Sequence, residues 1–206
     1  MSEKKGNFRI YYPFFKRMTD IIVAFFGMIG VLILFPFLAI LIKLDSSGPI
    51  FYSQERIGRY GIPFKLYKFR TMYCDAEEAE LIVKETGTFV QTKDDPRVTK
   101  VGKVLRKLSL DEFPQMYNIL KGEMSFIGPR PFIRSEIEML SEHQLRRLSI
   151  KPGLTGYAQI NGRGDLTLDE RMEKDLFYVD NITMMNDIRI FLKTIFVVFI
   201  TREGVY

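Results

Sequence analysis

The sequence predicts a mostly α-helical protein with a small β element, in which a re-entrant membrane helix precedes a cytoplasmic globular domain. Residues 21–42 form a run of 22 amino acids without a charge, close to the ~20 apolar residues that cross a bilayer as a helix. Apolar residues then recur at helical spacing in much of the remaining chain, and only two short segments have the composition of strands. We therefore expect a membrane part, residues 1–45, and a cytoplasmic domain with amphipathic helices, residues 46–206.

The apolar segment has two features that disfavour a simple membrane crossing. Pro36 lies inside it, and a proline removes a helical hydrogen bond and kinks or breaks the helix. Basic residues stand on both sides, among them Lys16 and Arg17 before the segment and Lys43 after it, and basic flanks belong on the cytoplasmic face. A helix that enters the membrane, breaks at Pro36 and returns satisfies both observations. A kinked helix that crosses the membrane is the alternative.

The spacing of apolar residues predicts the secondary structure of the segments that follow. Residues 50–54 and 64–71 predict two strands joined through Arg59, Tyr60 and Gly61. Helical patterns then follow at residues 75–84, 98–108, 135–148 and 184–200. The apolar face of the last segment suits either the membrane interface or the protein core, and both interpretations stay open at this point.

Composition limits the kinds of site that the chain can build. Cys74 is its only cysteine and His143 its only histidine, which excludes an internal disulfide and a zinc site made of several Cys or His residues. A lone cysteine suits the reducing cytoplasm. The net charge of +5 favours anionic partners such as phosphates or acidic lipids. Neither a P-loop nor a Rossmann fingerprint is present.

Two neighbouring carboxylates are the strongest candidates for chemistry. Ser109 followed three residues later by Glu112 matches a capping box, which predicts that a helix begins here, and Gly122 predicts its end. Because Pro114 is tolerated only in the first turn, Asp111 and Glu112 must lie at or next to the helix N-terminus. The helix dipole and free amides there favour the ionised form of both. The simplest alternative is that these acids only cap the helix.

Basic residues beside turns and at the ends of predicted elements suggest that the two carboxylates do more than cap a helix. They are Lys68, Arg70, Arg106, Arg130 and Arg163. Each alone is more often a solvated surface residue. Arginines fixed by proline or glycine turns are different, because a rigid guanidinium group suits bidentate phosphate binding. Together with the carboxylates they suggest a nucleophilic carboxylate that attacks phosphorus, used with a Mg²⁺ ion that neutralises a diphosphate.

Seven ordered motifs make the sequence resemble the monotopic phosphoglycosyl transferases, the bacterial sugar transferases that start glycan assembly on polyprenol (undecaprenyl) phosphate. The motifs are KR and Asp20 before an apolar run that contains a proline, YKFRTM at residues 67–72, DDPRVT at 94–99, SLDEFPQ at 109–115, GEMSFIGPRP at 122–131, KPGLTG at 151–156 and QINGR at 159–163. They extend through nearly the whole chain. Its length resembles the small members that have the catalytic core alone.

The resemblance implies a two-step reaction at the bacterial inner membrane, with the catalytic domain on the cytoplasmic face. Asp111 would attack the β-phosphorus of a UDP-sugar, release UMP and form a covalent phosphosugar intermediate that polyprenol phosphate then accepts. Glu112 would assist proton handling or position the acceptor, and Mg²⁺ would bind near Asp111. The substrate-binding positions that it implies are Lys68, Arg106, Arg130, Arg163 and Asp187. The resemblance also implies a re-entrant helix, although Phe35 stands where relatives often have serine.

Two other functions are consistent with parts of the sequence. A membrane-anchored module could use its basic surface to bind anionic lipid or nucleic acid without catalysis, with an affinity that falls as salt rises. A membrane hydrolase could use the same acids without a lipid acceptor. We expect the transferase, with a UDP-sugar, polyprenol phosphate and membrane lipids as partners and no nucleic acid. The residues do not select the sugar, and they are compatible with a homo-oligomer.

Overall fold

The long N-terminal helix is the largest element of the fold. The computed structural model describes residues 4–74, 95, 97–162 and 166–197, with side chains from residue 13 onward, and helix α1 covers Lys4–Asp45. Pro13 and Pro36 both lie within this helix. The interruption predicted at Pro36 is therefore not a loss of helical conformation, since a helix can accommodate one missing hydrogen bond as a bend.

Helix α1 buries one stripe of side chains and exposes its other apolar faces. Ala24, Val31, Leu38 and Ile42 are buried, and their spacing of seven and four residues defines one face of a helix. The large apolar residues that remain exposed include Phe26, Leu32, Ile33, Phe37, Ile40 and Leu44. Within the described residues, this is the one helix that is long and apolar enough to cross a membrane.

Both ends of the apolar segment are attached to the same globular part. Near its beginning, the Asp20 carboxylate accepts a hydrogen bond from the backbone amide of Phe126 at 2.8 Å. At its end, the Asp45 carboxylate accepts one from the amide of Val101, also at 2.8 Å. Core contacts lie on either side of Pro36, because Val31 and Leu38 join one cluster with Phe69 and Leu105. The helix thus lies against the globular part along its length.

The predicted strands form an antiparallel hairpin. Strand β1 covers Phe51–Ile57 and strand β2 covers Pro63–Phe69, with Phe51 opposite Phe69. The connection Arg59–Gly61 is a 3-10 turn in which Tyr60 adopts a left-handed conformation with φ 59°. Phe64 and Leu66 turn inward and pack with Ala24 of α1. The prediction of two strands joined at these residues is confirmed.

Two helices flank the carboxylate pair. Helix α2 covers Lys100–Lys107 and helix α3 covers Gln115–Lys121, with a 3-10 turn, Leu110–Glu112, between them. The predicted capping box is wrong: Ser109 has φ 54° and its side chain caps nothing. The boundaries set by proline and glycine are confirmed, because Pro114 directly precedes α3 and Gly122 ends it with φ 86°.

The second sheet joins distant parts of the chain. Strand β3, Ser125–Ile127, pairs in parallel with strand β4, Gly153–Thr155. Between them the sequence predicted one helix over residues 135–148, and this is wrong. The structure has helix α4 at Arg134–Glu138, helix α5 at Glu142–Leu145 and a 3-10 turn at Arg146–Ser149. A capping box between Ser141 and Gln144 starts α5 and divides the predicted helix.

Two further helices complete the described chain. Helix α6, Leu168–Asp180, was not predicted, although Thr167 and Glu170 form the capping box that begins it. Helix α7 covers Met184–Phe196. It buries Ile190 but exposes its apolar residues Met185, Ile188, Leu192 and Ile195, which favours the interfacial interpretation over the core one. The helix predicted at residues 75–84 lies outside the described residues. A mostly helical fold with small sheets is confirmed.

Candidate active site

The two carboxylates lie where the 3-10 turn before α3 meets strand β2. The Glu112 carboxylate oxygen Oε1 lies 2.7 Å from Lys68 Nζ and 3.3 Å from an Arg130 guanidinium nitrogen. Asp111 is next to this pair, with its Oδ2 3.9 Å from the same Lys68 Nζ. Four residues that the sequence placed in one site are therefore brought together from β2, the turn and the loop after β3.

Local packing fixes the direction of the turn that carries the carboxylates. Leu110 and Phe113 pack into the core cluster beneath α1, so these two side chains anchor the turn on its apolar side. Ser109 reverses the chain in a left-handed conformation, a geometry that costs energy for a non-glycine residue. Asp111 is 6% exposed. The acids are therefore held by a strained reversal and two apolar anchors rather than by a helix cap.

The two neighbouring acids have opposite pKa shifts. Burial raises the pKa of Asp111; Lys68 counteracts part of this increase, while the adjacent Glu112 charge adds to it. Burial also works to raise the pKa of Glu112, but Lys68 and Arg130 together lower it to about 2. The prediction that both acids favour the ionised form is thus correct for Glu112 and wrong in direction for Asp111. The pKa of Asp111 is raised because desolvation disfavours a buried charge.

Arg106 joins the site from the end of α2. Its Nε donates a hydrogen bond to Thr71 Oγ1 at 2.9 Å. Burial lowers the pKa of this guanidinium, while the negative charges of Asp111 and Asp95 raise it. Gly102 brings α2 close to β2, since a Cβ on this glycine would lie 2.2 Å from the carbonyl oxygen of Thr71. The close approach of α2 therefore brings a third cation near Asp111.

Asp187, a predicted substrate-binding residue, makes its hydrogen bonds outside this cluster. Asp187 accepts hydrogen bonds from Lys16 Nζ at 2.7 Å and from the Tyr178 hydroxyl at 2.6 Å. These contacts join the start of α1 to α6 and α7. Arg163 lies outside the described residues. A role in substrate binding stays a prediction for both residues.

A shallow cleft beside the carboxylates is open to solvent. Its lining includes Arg56, Lys68, Glu112, Gln115, Arg130 and Leu154. Arg56 and Gln115 were missed by sequence reasoning. Gln115 could have been found, because it is the first residue of a helix whose start Pro114 marks. No local sequence feature marked Arg56 as a site residue, since a basic residue in a short strand is normally solvated.

The donor atoms of Asp111 fit a hard divalent cation. No hydrogen bond reaches its carboxylate from the described residues, and no cluster of three potential ligand side chains is found among them. Mg²⁺ is typically held by one or two carboxylates, with water and substrate phosphates supplying its other ligands. Asp111 would thus be the protein ligand. Glu112 is already engaged by Lys68 and Arg130.

Comparisons with known proteins relate the chain to sugar transferases. A family model described as bacterial sugar transferase matches residues 11–201. The galactosyl transferase CpsE of Streptococcus agalactiae is 45% identical over 89% of this chain and 42% of its own length. The uncharacterized sugar transferase EpsL of Bacillus subtilis is 37% identical over 92% of this chain and 89% of its own length.

A third relative has a more specific name. The UDP-glucose:undecaprenyl-phosphate glucose-1-phosphate transferase of Klebsiella pneumoniae is 41% identical over 92% of this chain and 41% of its own length. The chain thus spans less than half of two of these relatives and most of EpsL. Because the family model covers nearly the whole chain and the match to EpsL covers most of both proteins, this protein belongs to the bacterial sugar transferase family and is a transferase enzyme.

Proposed function

We propose that the protein transfers a sugar phosphate from a UDP-sugar to undecaprenyl phosphate and releases UMP. The observation that carries the proposal is the buried Asp111 carboxylate beside Glu112, with Lys68, Arg106 and Arg130 around the pair. The Klebsiella relative's name specifies this donor, acceptor and transferred group. The Streptococcus relative is named for galactose instead of glucose, so the proposal covers UDP-sugars as a class.

In the first step, an Asp111 carboxylate oxygen attacks the β-phosphorus of the donor. A bond forms between this oxygen and the phosphorus, and the bond from the phosphorus to the bridging oxygen breaks, so that UMP leaves with the electron pair. Two anions must approach each other in this step. Lys68, Arg106 and Arg130 reduce their repulsion, and desolvation of Asp111 leaves its oxygens without a water shell to lose.

In the second step, an oxygen of undecaprenyl phosphate attacks the same phosphorus and Asp111 is released. Glu112 is a poor proton acceptor here, because Lys68 and Arg130 hold its pKa at about 2. We therefore assign it to fixing these two cations, rather than to the proton handling that the family resemblance suggested. Held in place, Lys68 and Arg130 can contact both the donor diphosphate and the acceptor phosphate.

Asp111 would hold the Mg²⁺ ion that this reaction is expected to use. A bound Mg²⁺ would neutralise the diphosphate oxygens and stabilise the leaving UMP. The cation would also favour the ionised form of Asp111, because a nearby positive charge lowers the pKa of a carboxyl group.

The membrane segment is proposed to enter and leave the bilayer on one face. Support comes from Asp20 and Asp45, which bind the same globular part at opposite ends of the apolar run. A crossing helix would separate these ends by the thickness of the membrane. The exposed apolar residues of α7 would lie in the interface beside it. The basic residues on both flanks of the segment support a cytoplasmic location for the globular part, at the inner membrane.

The variant Asp111→Asn tests the nucleophile. Incubated with a UDP-sugar, Mg²⁺ and undecaprenyl phosphate, the wild type should release UMP, whereas this variant should show no release above background. Without acceptor, mass spectrometry of the wild type should show the added mass of the sugar phosphate, and the variant should not gain it.

The matched control is Asp169→Asn, which changes an exposed aspartate in the first turn of α6. It should keep wild-type turnover. Near-normal UMP release by Asp111→Asn would exclude the nucleophile assignment. UMP release by the wild type that does not depend on the lipid acceptor, with free sugar phosphate as the product, would indicate hydrolysis instead.

A further inference from the structure

An ion pair is buried within the globular part, apart from the carboxylate pair. An Arg147 guanidinium nitrogen lies 2.8 Å from Asp175 Oδ2, and the two side chains are 2% and 1% exposed. Arg147 follows α5, and Asp175 lies in α6. The guanidinium also stacks over the ring of Phe132 at 3.7 Å from its centroid. Thus an ion pair fully withdrawn from solvent connects α6 to the loop after β3.

Stability alone does not explain a buried ion pair of this kind. Removing two charges from water costs several kcal/mol per ion, and apolar side chains of similar volume are often as stable or more stable. Burial raises the pKa of Asp175, and Arg147 counteracts only part of this effect. Arg147 makes a third contact, in addition to those with Asp175 and Phe132, and this contact suggests a role for the ion pair other than stability.

That third contact reaches the candidate active site. The same terminal nitrogen of Arg147 donates a hydrogen bond to the backbone carbonyl oxygen of Arg130 at 2.7 Å. Arg130 in turn presents its side chain to Glu112 at 3.3 Å. Asp175, Arg147, Arg130 and Glu112 thus form one continuous series of polar contacts that runs from α6 to the catalytic turn.

Each backbone carbonyl group around Arg130 accepts a hydrogen bond. Gly153 N donates to the carbonyl of Pro129 at 2.8 Å, and Ile57 N donates to that of Phe132 at 2.8 Å. Arg56 donates to the carbonyl of Pro131 at 3.3 Å. Four successive carbonyls, at residues 129–132, therefore receive donors, and Arg147 supplies the one at residue 130. Loss of this donor would remove the hydrogen bond that holds the half-buried Arg130 backbone and would release the residue that faces the cleft.

We propose that Arg147, oriented by Asp175, is a positioning residue that fixes Arg130 for contact with Glu112 and the donor diphosphate. The proposal rests on the proposed transferase function. Arg147 touches neither substrate nor reacting atoms, so its effect must pass through Arg130. Small displacements of such a charged group lower catalytic efficiency steeply.

The test uses a variant that removes both buried charges, Arg147→Met with Asp175→Leu. A single substitution would leave one charge buried and unpaired, which can unfold the domain, whereas the double variant keeps an apolar core. Its melting temperature should stay near that of the wild type. Its kcat/KM for the UDP-sugar should fall by about 10- to 100-fold, with a rise in KM, because Arg130 would meet the diphosphate less often in its productive position.

A double-mutant cycle shows whether the effect passes through Arg130. In an Arg130→Ala background, removing the ion pair should produce no further loss, because the positioned group is already absent. The matched control is Arg146→Gln with Asp180→Asn, which removes a neighbouring, exposed ion pair between the same two elements. The control should keep wild-type kcat/KM.

The possible results separate this proposal from the proposed function. A wild type that releases no UMP would overturn the proposed function. A wild type that is active, together with a folded double variant at wild-type kcat/KM, would overturn the positioning role alone. Additive losses in the Arg130→Ala background would also overturn it, because they would show that the ion pair does not act through Arg130.

Discussion

Asp111 and Glu112 are adjacent in sequence, yet their surroundings give them different tasks. Glu112 has Lys68 and Arg130 in direct contact, so its charge is compensated. Asp111 is as deeply placed, but its shortest ion contact within the described chain is Lys68 at 3.9 Å. This difference supports the proposed division of roles, in which Glu112 holds the cations and Asp111 is the nucleophile. Opposite pKa shifts in neighbouring acids are a recognised mark of such a division.

Glu112→Gln should reduce stability at neutral pH. Lys68 and Arg130 lower the pKa of Glu112 from its ordinary value of 4.5 to about 2, so its ionised form stabilises the fold above the unfolded pKa. This contribution is about 3 kcal/mol and is lost as the pH falls from 4.5 through the folded pKa of about 2. Chemical unfolding at pH 7 and at pH 3 should show a large difference from wild type at the higher pH and a smaller one at the lower.

Glu173→Gln is the matched control, because Glu173 is exposed on α6. It should change the free energy of unfolding by less than about 0.5 kcal/mol. A Glu112→Gln effect that is equal at both pH values would contradict the role of its charge.

Asp111→Asn should have the opposite effect on stability. Since burial raises the pKa of Asp111, the folded state favours the protonated carboxyl group, and the associated stability is lost as the pH rises through the folded pKa. At pH 7, well above the ordinary pKa of an aspartate, the folded state therefore carries a cost that a neutral amide removes. Thermal unfolding of the metal-free protein should give a higher Tm for the variant, and a lower Tm would refute the argument.

At the scale of elements, α7 has more apolar surface than its core contacts require. Ile190 is buried, while Ile188, Leu192 and Ile195 are at least 42% exposed. They lie at spacings of three and four residues, as one helix face does. Exposed apolar surface on one face of a helix is what a membrane interface would cover.

Leu192→Cys should place a label in the bilayer. In a Cys74→Ser background, a polarity-sensitive fluorophore on this cysteine should emit at a shorter wavelength in vesicles than in water. Nitroxide-labelled lipids should quench it. A label at Ser135→Cys, on exposed α4, should show neither response. Equal spectra at both positions would show that α7 does not face lipid.

At the scale of the whole molecule, α1 and the globular part form one body. A helical segment of 26 residues, from Asp20 to Asp45, is about 38 Å long if straight, which exceeds the ~30 Å hydrocarbon core. Its length alone would permit crossing. Its attachment does not favour crossing, because hydrogen bonds from Phe126 and Val101 hold both ends on one globular part.

Single cysteines at both ends should therefore react from the same side. In the Cys74→Ser background, Thr19→Cys and Ser47→Cys should each be modified by an impermeant maleimide in inverted membrane vesicles. Neither should react in intact spheroplasts. Both positions are exposed on the protein, so access is limited by the membrane alone. Modification of one position from outside the cell would indicate a crossing helix.

The sequence predicted those parts of the fold that depend on short-range chemistry. The apolar run, the hairpin, the start of α3 after Pro114 and its end at Gly122 each follow from residues within one or two turns. The choice of Asp111 and Glu112 as candidates also rested on a local signal, their position just before Pro114. Where a local signal was overlooked, as with the capping boxes at Ser141 and Thr167, the helix boundaries were missed.

Tertiary structure decided the rest, because burial and charge compensation depend on residues far apart in sequence. Ser109 matched a capping box, yet it adopts a left-handed conformation because Leu110 and Phe113 must reach the core. Burial raises the pKa of Asp111, and no local sequence pattern predicts that this residue is buried. Arg147 and Asp175 lie 28 residues apart, and only the packing of α6 brings them to Arg130. The sequence thus determined which groups are candidates for the site, and the fold determined how deeply each is buried and how far its charge is compensated.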